Sequence, residues 1–353
     1  MTEINKLIYE LIQVSLGRRA CLSRTPSESQ WHELYAIAKK QSLVGVCFAG
    51  VQKLVEQQQT PEEMLYLTWM GMAAKIQQKN EVVNRQCVTL GKMLQEAGME
   101  YVVMKGQAIG RYYHDLSALR QSGDIDVWIT NKSREEIVAF ANKKTCGGGV
   151  THQHVHYHVF NETEVELHYI PAELHCPWYD KALMLFFRSQ MEGFHLCEAG
   201  YMVPAMEFDL LHQLAHSFRH LFGDGIGMRQ VMDFYMVLCT SLKMDVDWNV
   251  VSVGIHSTGM KRFASAMLWM TGEVFGMTTS DISTIEGHLR LSADERFGSF
   301  LLSEVLLAGN FGHTDERINR DKHESAWHRF WRVNMGMKTK RAMVEEVDLC
   351  VNR

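Results

Sequence analysis

The chain has 353 residues, 46% hydrophobic and 22% charged, the balance of a globular protein long enough for two domains or for one domain with helical additions. A formal net charge of −5 excludes a molecule that is basic as a whole and drawn to nucleic acid by bulk electrostatics. No run of about 18 apolar residues occurs, so no membrane span is expected, and the acidic, amphipathic opening MTEINKLIYELIQVSLG is unlike a secretory leader.

The first 98 residues are predicted helical. Ile4, Leu7, Ile8, Leu11 and Ile12 keep helical spacing, and Gly17 ends the run. Thr25-Pro26-Ser27 starts a helix holding Trp31, Leu34, Ile37 and Ala38, and Ser42–Leu54 forms a short apolar one. Val83, Cys87, Leu90 and Leu94 form another stripe that stops at Gly98. The pattern changes at Met99. Tyr101–Met104 predicts a buried strand, Gln107–Tyr113 a helix beginning just after Gly106, and Asp124–Ile129 a second strand. Ser133–Asn142 predicts a helix and Cys146–Gly149 a turn, followed by a β-hairpin of residues 151–159 and 163–170. Helical period returns from about Met206, with Leu210, Leu211, Leu214, Ala215 and Phe218 in one stripe, then 228–238, 261–277, 296–308 and 324–347. Eight scattered cysteines without C-x-x-C spacing predict reduced thiols and a cytoplasmic location, and the 22 methionines read as core filler.

Chemistry concentrates in Lys105–Ile129. On a strand, Asp124 and Asp126 share a face with Cα atoms roughly 6–7 Å apart, so both carboxylates can aim at the same hard cation, Mg²⁺ or Mn²⁺. Gly123 supplies the turn ahead of them. Gly106 lets the backbone approach a phosphate, and Lys105 could add a point charge to a triphosphate. Arg120 could clamp phosphate in a fork or form a loop salt bridge. In TEVELHY, Glu164, Glu166 and His168 share a face; if this strand lies beside Asp124–Ile129, Glu166 becomes a third acid at the metal or a base for an incoming hydroxyl. His168 could position a phosphate or support a ligand, and Glu164 is expected in solvent. His152, His154, His156 and His158 alternate along an expected edge strand, with His156 and His158 the candidates to line the cleft; a transition-metal ladder would need a second ligand set. His212, His216, His220, Arg229 and Asp233 form a polar set in helical sequence, with Arg229 and Asp233 spaced to pair with each other. Residues 317–341 are basic with Trp327, Phe330 and Trp331 interleaved, and are expected to pack on the body rather than to bind nucleic acid.

These residues resemble the polymerase-β-like nucleotidyltransferase superfamily: an apolar strand, a glycine-led turn, an acid-x-acid strand start and a third carboxylate on a later strand. More narrowly, Lys105-Gly106, Arg120–Asp126 and Glu166-Leu167-His168 are similar in type and order to a bacterial family of uncharacterised nucleotidyltransferases. Gln107 after the glycine, and the spacing of 18 residues from Gly106 to Asp124, fit the narrower family better than the superfamily average. The resemblance implies an α+β fold, with a nucleotidyltransferase-like mixed sheet over 99–200 between helical regions 1–98 and 201–353. It implies transfer of a nucleoside monophosphate from an NTP to an acceptor hydroxyl with release of pyrophosphate. Asp124, Asp126 and Glu166 would hold the metal, and Lys105, Gly106, Arg120, Gly123 and His168 would serve the nucleotide. The acceptor, whether small molecule, RNA or protein, is left open. So are three rivals: a non-catalytic nucleotide-binding regulator, a metal-dependent phosphohydrolase, and a toxin-type or antiphage modifier of tRNA or protein.

Overall fold

Caps and apolar spacing set the N-terminal helices. Thr2 accepts from the Asn5 amide at the start of α1 (Glu3–Ser15), and the chain leaves that helix at Gly17 with φ +69°. Ser27 and Gln30 form a reciprocal capping box on α2 (Glu28–Lys40). The computed structural model describes residues 2–143, 149–222 and 225–309. Helix α3 (Val44–Lys53) is buried from Val44 to Val51. A Cβ at Gly45 would stand 2.3 Å from the Leu119 carbonyl oxygen, so only glycine lets α3 lie this close to the segment leading into the acid strand. Helix α4 (Glu63–Glu96) runs 34 residues, about 50 Å at 1.5 Å per residue. Leu65, Trp69, Ala73 and Ile76 join the helical core, while Val83, Cys87, Leu90 and Leu94 join a second core under the sheet.

The sheet comprises β1 (Tyr101–Met104), β2 (Ile125–Ile129), β3 (His154–His156) and β4 (Val165–His168), in the order β1-β2-β4-β3. β1 and β2 are antiparallel, β2 and β4 parallel, and β4 and β3 antiparallel. The period of two sorts the side chains onto two faces. Tyr101, Val103, Ile125, Val127, Ile129, Val155, Val165 and Leu167 enter one core with α6 (Arg134–Asn142) and the end of α4. Val102, Met104 and Trp128 enter the other, against the C-terminal helices. Asp126 lies on this second face, paired with Met104 and two positions before Trp128, so the acids look toward those helices.

After β4 come α7 (Pro177–Ser189), a two-stranded ribbon of β5 (His195–Leu196) and β6 (Met202–Val203), and then α8 (Met206–Phe222), α9 (Met228–Ser241), α10 (Trp248–Ser257), α11 (Lys261–Phe275), α12 (Thr279–Leu289) and α13 (Glu295–Ala308). The N-terminal and C-terminal helices share one apolar cluster, in which Met228, Met232, Met260, Met267 and Met270 are buried. Gln41, at the end of α2, ties them together: its amide donates to the Val305 carbonyl and its oxygen accepts from the Met228 amide. No helix among the described residues is long and apolar enough to cross a membrane.

Several expectations need correction. The predicted helix 107–113 is a five-residue α5 (Gly106–Gly110) followed by a 3₁₀ segment, Arg111–Leu119. The hairpin strands are shorter, at 154–156 and 165–168. Helices α7, α10 and α12 had not been anticipated. Cys176 is disulfide-bonded, so the thiols are not all reduced; Cys21, Cys47, Cys87, Cys197 and Cys239 are free. The basic segment 317–341, the helix expected at 324–347 and most of the Cys146–Gly149 turn lie outside the described residues.

Candidate active site

The parallel β2/β4 pair sets Asp126 directly beside Glu166. Asp124, two positions before Asp126, turns its side chain to the same side, and the three acids each present a carboxylate oxygen with all three within 4.8 Å of one another. Lys105 arrives from the end of β1 with φ +49°, a conformation that costs a side-chain-bearing residue on the order of 1–3 kcal/mol. The strained turn brings its ammonium onto Asp126, Nζ to Oδ1 2.7 Å. Next to it, a Cβ on Gly106 (φ +22°) would come within 3.4 Å of the Asp124 carbonyl oxygen, so the turn lies tight against the acid strand. His168 Nε2 lies 2.9 Å from the same Asp126 oxygen and 3.2 Å from Glu166 Oε2, while its Nδ1 donates to the Ile170 carbonyl. His154, reaching in from the edge strand, sets Nδ1 3.4 Å from Glu166 Oε2.

Electrostatics follow from crowding. The neighbouring Asp126 carboxylate, together with burial, pushes Asp124 up to about 6. Burial works against ionised Asp126 as well, but the Lys105 ammonium and His168 outweigh it and hold Asp126 well below the usual carboxylate range. Burial likewise opposes the charge on Lys105, which Asp126, Asp124 and Glu166 overcome, so that lysine titrates above its ordinary value. Three converging carboxylates with one raised this far have more negative charge than Lys105 compensates, and the all-oxygen donor set fits a hard divalent cation.

All eight residues singled out for the acids and the nucleotide, namely Lys105, Gly106, Arg120, Gly123, Asp124, Asp126, Glu166 and His168, line one cleft of about 190 Å³. Arg120 does so with its fork occupied: Nε and one terminal nitrogen each lie 2.7 Å from an Asp233 oxygen, both side chains buried. This is the loop salt bridge rather than an open phosphate fork. Asp233 also accepts from Tyr113; Arg229, which feels the Asp233 charge, donates to the Gln121 carbonyl. Glu164 is exposed. His154, rather than His156 or His158, is the ladder member that lines the cleft.

The opposite wall comes from α8 and α9: Gln213, His216, Arg219, His220, Arg229 and Gln230. Gln213 is 2% exposed, and its amide nitrogen has no hydrogen-bond partner. Burial, reinforced by Lys105, keeps His216 neutral, well below its ordinary value, and pushes the neighbouring His212 down to about 3. Burial, with Arg120 nearby, lowers Arg229. Sequence gave no sign of Gln213; only the face of α8 reveals it.

The 3₁₀ segment Arg111–Leu119 fills 9 of the 17 positions between Gly106 and Asp124. Arg111 and Tyr112 both bond Asp209 of α8, Tyr113 and Arg120 bond Asp233 of α9, and the Asn80 amide of α4 donates to the Ala118 and Arg120 carbonyls. The acid strand is thereby pinned to three helices. A larger cavity, about 740 Å³, lies across Arg120 from the cleft, with Asn84, Gln107, Ser117 and Glu198 on its walls.

Mitochondrial phenylalanine–tRNA ligase of Mus musculus is 30% identical over 164 residues, 42% of this chain and 36% of that protein, so the chain spans about a third of the relative's length. No solved structure matches the chain. The model of a family described as "Uncharacterised nucleotidyltransferase" matches residues 27–276, which take in α2 through α11 and every residue of the cleft. The chain belongs to this uncharacterised nucleotidyltransferase family.

Proposed function

We propose that the protein moves a nucleoside monophosphate from an NTP to an acceptor hydroxyl, with Asp124, Asp126 and Glu166 holding Mg²⁺ or Mn²⁺. The observation that carries this reading is the convergence of three carboxylates within 4.8 Å, on adjacent strands of a chain in a nucleotidyltransferase family. When bound, the ion supplies Lewis-acid stabilisation of the phosphoryl oxygens and lowers the pKa of an oxygen nucleophile.

The chain's own groups do the rest. Asp124 and Asp126 would hold the ion. Glu166 completes the set or, with 16% of its side chain exposed against 3% for Asp126, takes the acceptor proton. Lys105 neutralises Asp126 until a cation does so, after which its ammonium is available to the triphosphate. Arg219 and Arg229 bring positive charge to the opposite wall, where the phosphates would lie. Arg120, held by Asp233, fixes the segment that leads into Gly123 and Asp124 without giving up its fork.

The test uses ATP, GTP, CTP and UTP, each labelled at the α-phosphate, with Mg²⁺ and a panel of alcohol, RNA and protein acceptors. Label transferred to an acceptor with stoichiometric pyrophosphate supports the proposal. Metal-dependent NTP binding without turnover would make the protein a regulator, and free nucleoside monophosphate alone would make it a phosphohydrolase.

A further inference from the structure

The edge strand brings a second kind of ligand to the acid centre. β3 and β4 pair antiparallel with His154 opposite His168, so both imidazoles rise from the same face of the sheet, ring centroids 4.9 Å apart. Glu166 stands between them: its Oε2 is 3.4 Å from His154 Nδ1 and 3.2 Å from His168 Nε2, and the three ligand atoms all lie within 4.8 Å of one another. Ligand atoms bonded at about 2.0–2.2 Å to one four-coordinate ion lie roughly 3.3–3.6 Å apart, so these two separations are those of a site close to assembled.

The rings are also oriented for ligation. His168 Nδ1 faces the Ile170 carbonyl at 3.3 Å, the backbone contact that commonly fixes a metal-binding imidazole; its Nε2, 2.9 Å from Asp126 Oδ1 and 3.2 Å from Glu166 Oε2, holds a proton between those carboxylates and gives it up on ligating. His154 Nδ1 is shielded from solvent and makes no hydrogen bond, its approach to Glu166 notwithstanding. A buried polar atom left so is costly, and a cation would satisfy it. The His154 side chain is 14% exposed at the sheet edge, which gives an ion a way in, whereas His152 is 74% exposed and takes no part.

We infer that His154, Glu166 and His168 form a second metal position, next to the carboxylate centre, that takes a divalent transition ion such as Mn²⁺, Fe²⁺, Co²⁺ or Zn²⁺ in preference to Mg²⁺. Imidazole nitrogens suit those ions, and hard oxygen sites suit Mg²⁺. Glu166, with two oxygens, belongs to both positions. The inference rests on the proposed function only in sharing that carboxylate.

The experiment uses the full-length protein, stripped with chelator and titrated with MnCl₂ alone. Pulsed electron paramagnetic resonance reads ¹⁴N couplings from imidazole, and metal analysis counts bound Mn²⁺. Wild type should bind about two Mn²⁺ and show ¹⁴N modulation. His154→Ala and the bulkier His154→Gln should lose one Mn²⁺ equivalent and the His154 coupling, while His156→Ala should match wild type. Mn²⁺ bound without nitrogen coupling, or coupling and stoichiometry unchanged in both His154 variants, overturns the inference. If Mn²⁺ is oxygen-bound and NTP binding persists, the proposed function survives alone. If ¹⁴N-coupled Mn²⁺ is present but no NTP is turned over, the second position survives alone. No Mn²⁺ binding in wild type overturns both.

Discussion

Asp126 and Glu166 stand side by side in the parallel β2/β4 pair, and both point away from the Val127/Leu167 core toward α8 and α9. The relationship ties the proposed chemistry to strand register. A one-residue slip of β4 would carry Glu166 and His168 to the opposite face and put Leu167 in the cleft.

Lys105 is expected to act as the resident counter-charge of the acid centre. Lys105→Met removes a half-buried cation from buried Asp126 and should destabilise the fold by about 3 kcal/mol, since it leaves the buried charge uncompensated. Mg²⁺ should then raise the melting temperature of the variant by more than that of wild type. Equal Mg²⁺ shifts in the two proteins would show that the ion does not take over the lysine's role.

The Arg120–Asp233 fork is expected to be structural. Asp233→Asn should cost about 3–5 kcal/mol in urea unfolding by stranding the buried guanidinium, and adding Arg120→Met should recover part of that loss. An additive double mutant would mean that the two side chains do not depend on each other.

Acid should weaken the fold through α8. In the folded state His212 is pushed down to about 3 and His216 also lies well below its ordinary value, while an unfolded histidine titrates near 6.5. Below about pH 6.5 the unfolded chain therefore binds more protons. The stability these neutral histidines contribute is complete above that pH and is lost as pH falls. Each should steepen the decline by about 1.4 kcal/mol per pH unit between about 6.5 and its folded pKa. Urea unfolding of wild type and His212→Phe at pH 7.5, 6.5 and 5.5 checks this. The variant keeps a ring that can stack on Phe208, loses the bond to the Pro171 carbonyl, and should show the shallower slope. Parallel slopes would contradict the assignment.

What could be read in the sequence was local. The period of two in IDVWI and VELH placed Asp124, Asp126 and Glu166 on one face, and the caps at Ser27 and Ser133 marked helix starts. What could not be read depended on distant partners. The 3₁₀ course of Arg111–Leu119 is imposed by Asn80 from the helix before it and by Asp209 and Asp233 from helices far along the chain. Pairing with β4 sets His154 opposite His168 and His156 opposite Glu166, and only the course of the side chains brings His154 into the cleft; the aim of Lys105 follows from a positive φ that no residue pattern announces. Helix α12 buries only Ile285 and Leu289 along its length, too sparse a stripe to stand out.

The most direct measurement is a thermal-shift titration of ATP, GTP, CTP and UTP, each with and without Mg²⁺, on wild type, Asp124→Asn and Asp126→Asn. Each substitution keeps side-chain shape and removes one charged ligand from the cluster. The account predicts that at least one NTP stabilises wild type only when Mg²⁺ is present, as linkage requires of a ligand that binds the folded state, and that neither variant responds although both remain folded. No Mg²⁺-dependent shift in wild type, or shifts in both variants equal to wild type, would contradict it.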